Sequence, residues 1–274
     1  MKQFNINEKT ANFLKTYNLY KNDEVQQIQL QHRLSLVDTF EISEGMRVLE
    51  IGCGQGDTTV ALAHAVGETG HVIAIDIANP DYGAPLTLGQ ATNVITQSDL
   101  GNRISFHFET DFAFFEVNKP FDVVVLSHSS WYFRQPETLL DYFRKMKAIA
   151  KKVCFAEWDL DYGKPSQRNH FLAASILALY SNFVNNDGNI QNLFYKEQVK
   201  SFLQLAGFSI QKETTVNATF LQDGDWEIGY ANHIRPKFSI APTPIQTLVQ
   251  SYYDLMKNPT YKKESLDSFV IVAE

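Results

Sequence analysis

The chain has 274 residues and a formal net charge of −7; 44% of the residues are hydrophobic and 20% are charged. That composition excludes wholesale disorder, and the acidic balance excludes the basic surface with which proteins hold nucleic acid or an anionic bilayer. Two cysteines, Cys53 and Cys154, are too few for a disulfide framework, and no 18-residue apolar stretch or signal-like start is present. A cytoplasmic, single-domain protein spanning 1–274, without a membrane span, is expected.

A helix is predicted over Asp23–Phe40, where Val25, Ile28, His32, Leu36 and Phe40 recur at helical spacing. A first strand, Arg47–Ile51, runs into a glycine-rich turn. A helix over Thr58–Val66 follows, capped by Asp57 and ended by Gly67. Further strands are predicted at His71–Ile77, Arg103–Phe108, Phe121–Ser127, Lys152–Trp158, Phe208–Val216 and Ser268–Ala273. Pro136 opens a helix carrying Leu139, Leu140, Phe143, Met146 and Ile149 on one face, and Lys196–Leu205 forms another. Alternating strands and helices of this kind predict an α/β parallel sheet built from βαβ units. The fourth, fifth and seventh strands are near-continuous apolar runs, as strands covered on both faces require. The third and sixth mix polar with apolar residues and are expected at the edges. Three stretches remain, 1–22, 159–195 and 217–265, with candidate helices at Phe171–Val184, Trp226–Ile234 and Pro244–Met256. Connections that long within one domain suggest a helical cap over a ligand site.

The informative segment is Val48-Leu49-Glu50-Ile51-Gly52-Cys53-Gly54-Gln55-Gly56-Asp57-Thr58-Thr59. Glycines allow a tight turn and close approach to a ligand, and the helix start behind them offers free N–H groups. Asp57 stands where a dinucleotide fingerprint needs its third glycine, and Glu50 lies close to the same loop. Two acids there disfavour a pyrophosphate and favour a ligand bearing an ammonium or sulfonium, which selects S-adenosylmethionine over NAD. Asp76, 24 residues after Gly52, stands where a ribose-binding acid belongs, with a turn cap as the alternative. Asp111 can accept from an adenine amino group while Ile77 or Phe112 covers the ring; a solvated loop acid is the alternative there.

At these residues the sequence resembles the Rossmann-like, class I S-adenosylmethionine-dependent methyltransferases. Within them it is similar to uncharacterised bacterial members described as cyclopropane-fatty-acid-synthase-like. The resemblance rests on VLEIGCGQGDTT, the acid of AIDIA, ETDF and FDVVVLSHSSWYF, and covers about residues 45–216 plus the last strand. It implies a seven-stranded, mostly parallel, doubly wound sheet of order 3-2-1-4-5-7-6 with strand seven antiparallel. It also implies that Gly52, Cys53, Gly54, Gly56 and Ser127 line the cofactor, with Glu50 at its methionine end, Asp76 at the ribose and Asp111 at the adenine. The long, helix-bearing connection between strands six and seven departs from the short hairpin usual in that family.

Methyl transfer from a sulfonium is an in-line displacement, so the protein's main task is alignment. In such sheets, ligands lie beyond the carboxyl ends of the strands. Ser127-His128-Ser129-Ser130-Trp131-Tyr132-Phe133 ends the fourth strand and Glu157-Trp158-Asp159 the fifth. His128 is the candidate base or acceptor-orienting group, against a plain loop hydrogen bond. Glu157, an acid in a central strand, is the second catalytic candidate because an unpaired charge there is costly. Trp131, Tyr132 and Trp158 either wall the acceptor or belong to the core. Glu157, Asp159 and Asp161 alternate, but the histidines show no ligand spacing, so a metal is not expected. The reading is a methyltransferase for a small-molecule acceptor, acting as monomer or homodimer. The alternatives are a non-catalytic nucleoside-binding module, an NAD-dependent oxidoreductase and, third, fatty-acyl modification, which predicts a long apolar tunnel.

Overall fold

The computed structural model describes residues 6–184, 188–258 and 263–274. Two helices lead, α1 (Glu8–Tyr17) and α2 (Glu24–Phe40), followed by β1 (Arg47–Ile51), α3 (Asp57–Ala65), β2 (His71–Ile75), α4 (Leu88–Thr96), β3 (Ile104–His107) and β4 (Phe121–Ser127). The chain continues through α5 (Glu137–Ile149), β5 (Ala150–Trp158), α6 (Arg168–Ser181) and α7 (Lys196–Leu205). It ends with β6 (Ile210–Val216), α8 (Asp223–Ile234), α9 (Thr243–Met256) and β7 (Ser268–Ala273).

The strands form one sheet in the order 3-2-1-4-5-7-6, parallel except for β7, which runs antiparallel to both β5 and β6. Sequence polarity anticipates its two edges, β3 and β6, and the family resemblance its order. β7 is buried throughout and β4 nearly so, whereas β6 alternates half-buried with exposed positions as an edge strand does. The pleat sends neighbours to opposite faces, so Val48 faces α2 and α3 while Leu49 faces the layer of α5, α6 and α7. Phe40, Phe143 and Phe155 are among the largest fully buried side chains, each contributing roughly 1.5–3 kcal/mol through burial.

Some local expectations change. Asp57 is the first residue of α3, and Gly56, at φ +91°, occupies the cap position with no side-chain cap. The acid stabilises the helix start through the dipole instead of a capping hydrogen bond. α1 and α4 are additional helices. α4 carries a capping box in which Gln90 N donates to Thr87 Oγ1 and Thr87 N to Gln90 Oε1. The cap is built from α6, α8 and α9, tied by the Tyr253 hydroxyl donating to Ala231 O. α1 packs on α3, where the Tyr17 hydroxyl meets His64 Nδ1 at 2.9 Å. Among the N-terminal elements it is α2 that reaches the cap, through Gln29 Nε2 donating to Asp223 Oδ2 at 2.7 Å. Residues 1–5 and 259–262 of the expected cap, and 185–187, lie outside the described residues. No helix among the described residues is long and apolar enough to cross a membrane.

Candidate active site

The turn after β1 is positioned by the neighbouring strand: Gly52 N and Cys53 N both donate to Ile75 O. Gly52 has φ +75°, and a Cβ there would stand 2.6 Å from Ser129 Cβ, so only glycine fits. Gly54 also has positive φ, but a Cβ on it would meet nothing within 4 Å. It presents bare backbone to open space. Asp76, just past β2, faces the same turn; Oδ2 accepts from Gly54 N at 2.8 Å and Oδ1 from Ala78 N at 2.9 Å. Glu50 is buried in β1 with its Oε2 accepting from the Thr59 hydroxyl at 2.5 Å. Burial pushes its carboxyl up to about 8, against the Thr59 hydrogen bond and the charge of Arg33. Cys53 is buried in the turn and its thiol is pushed well above its usual range, which makes it packing and not a nucleophile.

Arg33 is the functional-looking residue that sequence reasoning passes over. It lies on α2 beside the core-facing His32, and its charge is felt by Glu50, Asp57 and His128. Arg33 Nη1 sits 3.1 Å from His128 Nδ1. A guanidinium only donates, so Nδ1 accepts and the ring proton belongs on Nε2. Nε2 then donates to Ser268 Oγ at 2.9 Å, and that hydroxyl lies 3.1 Å from His32 Nε2. Ser127 Oγ is a further neighbour of His128 Nδ1 at 3.1 Å. Burial and the Arg33 charge hold His128 well below its usual range, so it is neutral, with both ring nitrogens engaged by the protein. Arg33 Nε is buried with no hydrogen-bond partner among the described residues.

At the far end of the site, Asp111 Oδ1 accepts from the Tyr142 hydroxyl and from Ala113 N, both at 2.8 Å. Phe112 is 1% exposed beneath the Tyr142 ring, whereas Ile77 is 67% exposed. Of the two apolar residues expected at an adenine ring, Ile77 therefore has an accessible face and Phe112 belongs to the core. Trp131 and Trp158 are also buried, and Tyr132 is 48% exposed. Trp158 lies edge-on to His128 at 4.8 Å and to His170 at 5.2 Å. Glu157 is buried; Oε2 accepts from the Ser130 hydroxyl at 2.7 Å and Oε1 from Trp158 N at 3.0 Å. Burial pushes it up to about 7 in spite of these hydrogen bonds. Asp159 is buried and shares Lys196 Nζ with Asp161, at 3.6 and 3.5 Å. An ammonium group thus stands between the two carboxylates.

Residues 42–207 match the methyltransferase-domain family. The chain superimposes on the crystal structure of a cyclopropane-fatty-acyl-phospholipid synthase-like protein from Lactobacillus casei ATCC 334 with a TM-score of 0.85 and 31% identity. That match covers 97% of this chain and 98% of the other. Methyltransferase phomM of Diaporthe leptostromiformis is 35% identical over 156 residues, which is 49% of this chain and 40% of that protein; the chain spans less than half of this relative's length. Magnesium protoporphyrin IX methyltransferase from Synechocystis PCC 6803, solved with bound S-adenosylhomocysteine, shares the fold at TM-score 0.51 and 13% identity, covering 98% of this chain and 95% of that one. This chain belongs to the methyltransferase-domain family, in its class I, S-adenosylmethionine-dependent branch.

Proposed function

We propose that this protein transfers the methyl group of S-adenosylmethionine to a small-molecule acceptor by in-line displacement. Glu50 carries the reading. It is a buried carboxyl with a hydroxyl and no cation as its hydrogen-bond partner, beside the bare backbone of Gly54 and the acid Asp76. A ligand with a positive charge removes the cost of that burial, whereas a pyrophosphate would meet Glu50, Asp57 and Asp76 together. S-adenosylmethionine, when bound, supplies a methyl group on a cationic sulfur. Gly52, Cys53, Gly54, Gly56 and Ser127 form the wall that admits it. Asp76 is set to hold the ribose hydroxyls, Asp111 the adenine amino group, and Ile77 covers the ring. Arg33, with its free Nε, suits the ligand carboxylate.

His128 acts here as a positioning residue. Neutral and bonded at both nitrogens, it holds Arg33 in place and does not take the acceptor's proton. Glu157 is tied to Ser130 and shapes the floor of the acceptor pocket. Tyr132 is its accessible wall, with Trp131 and Trp158 packed behind. Alignment of the acceptor atom at about 3–3.5 Å from the methyl carbon then supplies most of the acceleration.

Calorimetric titration with S-adenosylhomocysteine, with NAD in parallel, tests the assignment. Micromolar binding, weakened about tenfold or more in Asp76→Ala and absent for NAD, is expected. A preference for NAD, or no loss in Asp76→Ala, would falsify it.

A further inference from the structure

Above the end of β5 the cap holds a histidine–carboxyl pair that the cofactor residues leave unused. His170, in the first turn of α6, is fully buried, and its Nδ1 accepts the backbone N–H of Leu266 at 2.8 Å. The ring proton therefore belongs on Nε2, which lies 2.6 Å from Glu227 Oε2 of α8. The contact is close but lacks the alignment of a full hydrogen bond, and the two facing atoms are themselves closed off from solvent. The seat is purpose-built. Gly224 N donates to Ser265 Oγ at 2.9 Å, and the Ser265 hydroxyl donates to Leu221 O at 2.9 Å. A Cβ on Gly224 would stand 3.1 Å from Ser265 Oγ and 3.2 Å from His170 Nδ1. α8 comes this near to α6 because residue 224 has no side chain.

The pair faces the acceptor side. His170 packs on Trp158, and the Glu227 charge reaches Glu157 and Tyr132 at the ends of β5 and β4. The carboxyl groups that act on the Tyr132 hydroxyl are Asp76, Glu157 and Glu227. No lysine or arginine among the described residues pairs with Glu227. Its side chain is 20% exposed, so it opens to accessible space while His170 closes it from behind. Trp131 Nε1 is a further buried polar atom in this region with no hydrogen-bond partner among the described residues.

We infer that Glu227, steadied by His170, anchors an amino group of the methyl acceptor, which makes the acceptor a small amine. The inference rests on the methyl-transfer reading above. A partly exposed carboxyl gains a charge-assisted hydrogen bond from an ammonium. An alcohol of the same shape gains only a neutral hydrogen bond, and a carboxylate is repelled by Glu227 and Asp76.

The test is a titration of the protein saturated with S-adenosylhomocysteine, using phenethylamine, 2-phenylethanol and 3-phenylpropionate as matched probes. The amine should bind about tenfold more tightly than the alcohol, and the acid most weakly. Glu227→Gln should bring amine and alcohol within about twofold while binding S-adenosylhomocysteine as the parent does, which also shows that the variant is folded. His170→Gln should weaken the amine and spare the alcohol, whereas a merely structural histidine would affect both alike. Equal response to the three probes, including none to any, overturns the amine anchor, as does a preference that survives Glu227→Gln. If the parent protein binds no S-adenosylhomocysteine, the methyl-transfer reading fails first and the anchor with it.

Discussion

On the side we assign to the cofactor, the decisive groups arrive within one β–α–β unit. Glu50 lies on β1, Gly54 on the turn that follows and Asp76 just past β2, joined by hydrogen bonds from the backbone such as Gly54 N to Asp76 Oδ2. On the cap side, His170, Glu227 and Leu266 come from three segments that meet only in the folded chain. Main-chain geometry sets the first half and side-chain packing the second. The first half should therefore respond sharply to backbone change, while the second can vary without disturbing it.

The largest effect expected is at the turn. Gly52→Ala combines a left-handed φ with a 2.6 Å clash against Ser129 and should cost about 2–4 kcal/mol in urea unfolding, with S-adenosylhomocysteine binding lost. Gly54→Ala pays only the left-handed strain, about 1–2 kcal/mol, because its Cβ meets no protein atom. It should nevertheless lose the ligand. Parent-like calorimetry in Gly54→Ala would remove the bare-backbone role.

Next comes pH. Glu50 is held at about 8 and Glu157 at about 7, both above their unfolded values near 4.5. Both keep a proton in the folded state that the unfolded chain releases, so their contribution is complete below pH 4.5 and is lost as pH rises through 7 and 8. Cofactor-free protein should lose a few kcal/mol of stability between about pH 5 and 9, with a shallower fall in Glu50→Gln. Binding S-adenosylmethionine at pH 7 should release protons from Glu50, seen as a heat that depends on the buffer. A pH-independent unfolding curve would contradict the buried, protonated state.

Smallest is Gly224→Ala on the cap side. Helix propensity gains up to about 1 kcal/mol and the push against His170 takes back a similar amount, leaving the melting temperature within a few degrees. S-adenosylhomocysteine affinity should be untouched and the amine preference reduced. A change in nucleoside affinity would show that the two halves are coupled after all.

The same division governs what can be read from the chain. Both edges follow from polarity along β3 and β6, because burial leaves a local imprint on residue type, whereas the full strand order comes only with the family resemblance. Glycines at positive φ beside a strand end are equally local. α4 was also within reach, since Thr87 and Gln90 carry the capping-box spacing, although its Thr- and Asn-rich sequence hides the helix. Arg33 and the His170–Glu227 pair were not. Each acquires its meaning from a partner at least 57 residues away, such as His128 or Glu227, and nothing in its own neighbourhood marks it. Phe112 shows the reverse error: its position beside Asp111 suggests a ligand contact, but the Tyr142 ring covers it.

The sheet also has an order of manufacture. β6 has a single neighbour, β7, and β7 spans residues 268–273, wedged between β5 and β6. While the chain leaves the ribosome, β6 has no sheet to join and β5 keeps an open edge. Both remain templates for a stray strand until residue 273 has emerged. The first five strands can assemble early, but the sheet closes only once β7 has emerged to fill the gap between β5 and β6. A stall or cleavage in the cap segment between β6 and β7 would leave a half-sheet inviting aggregation.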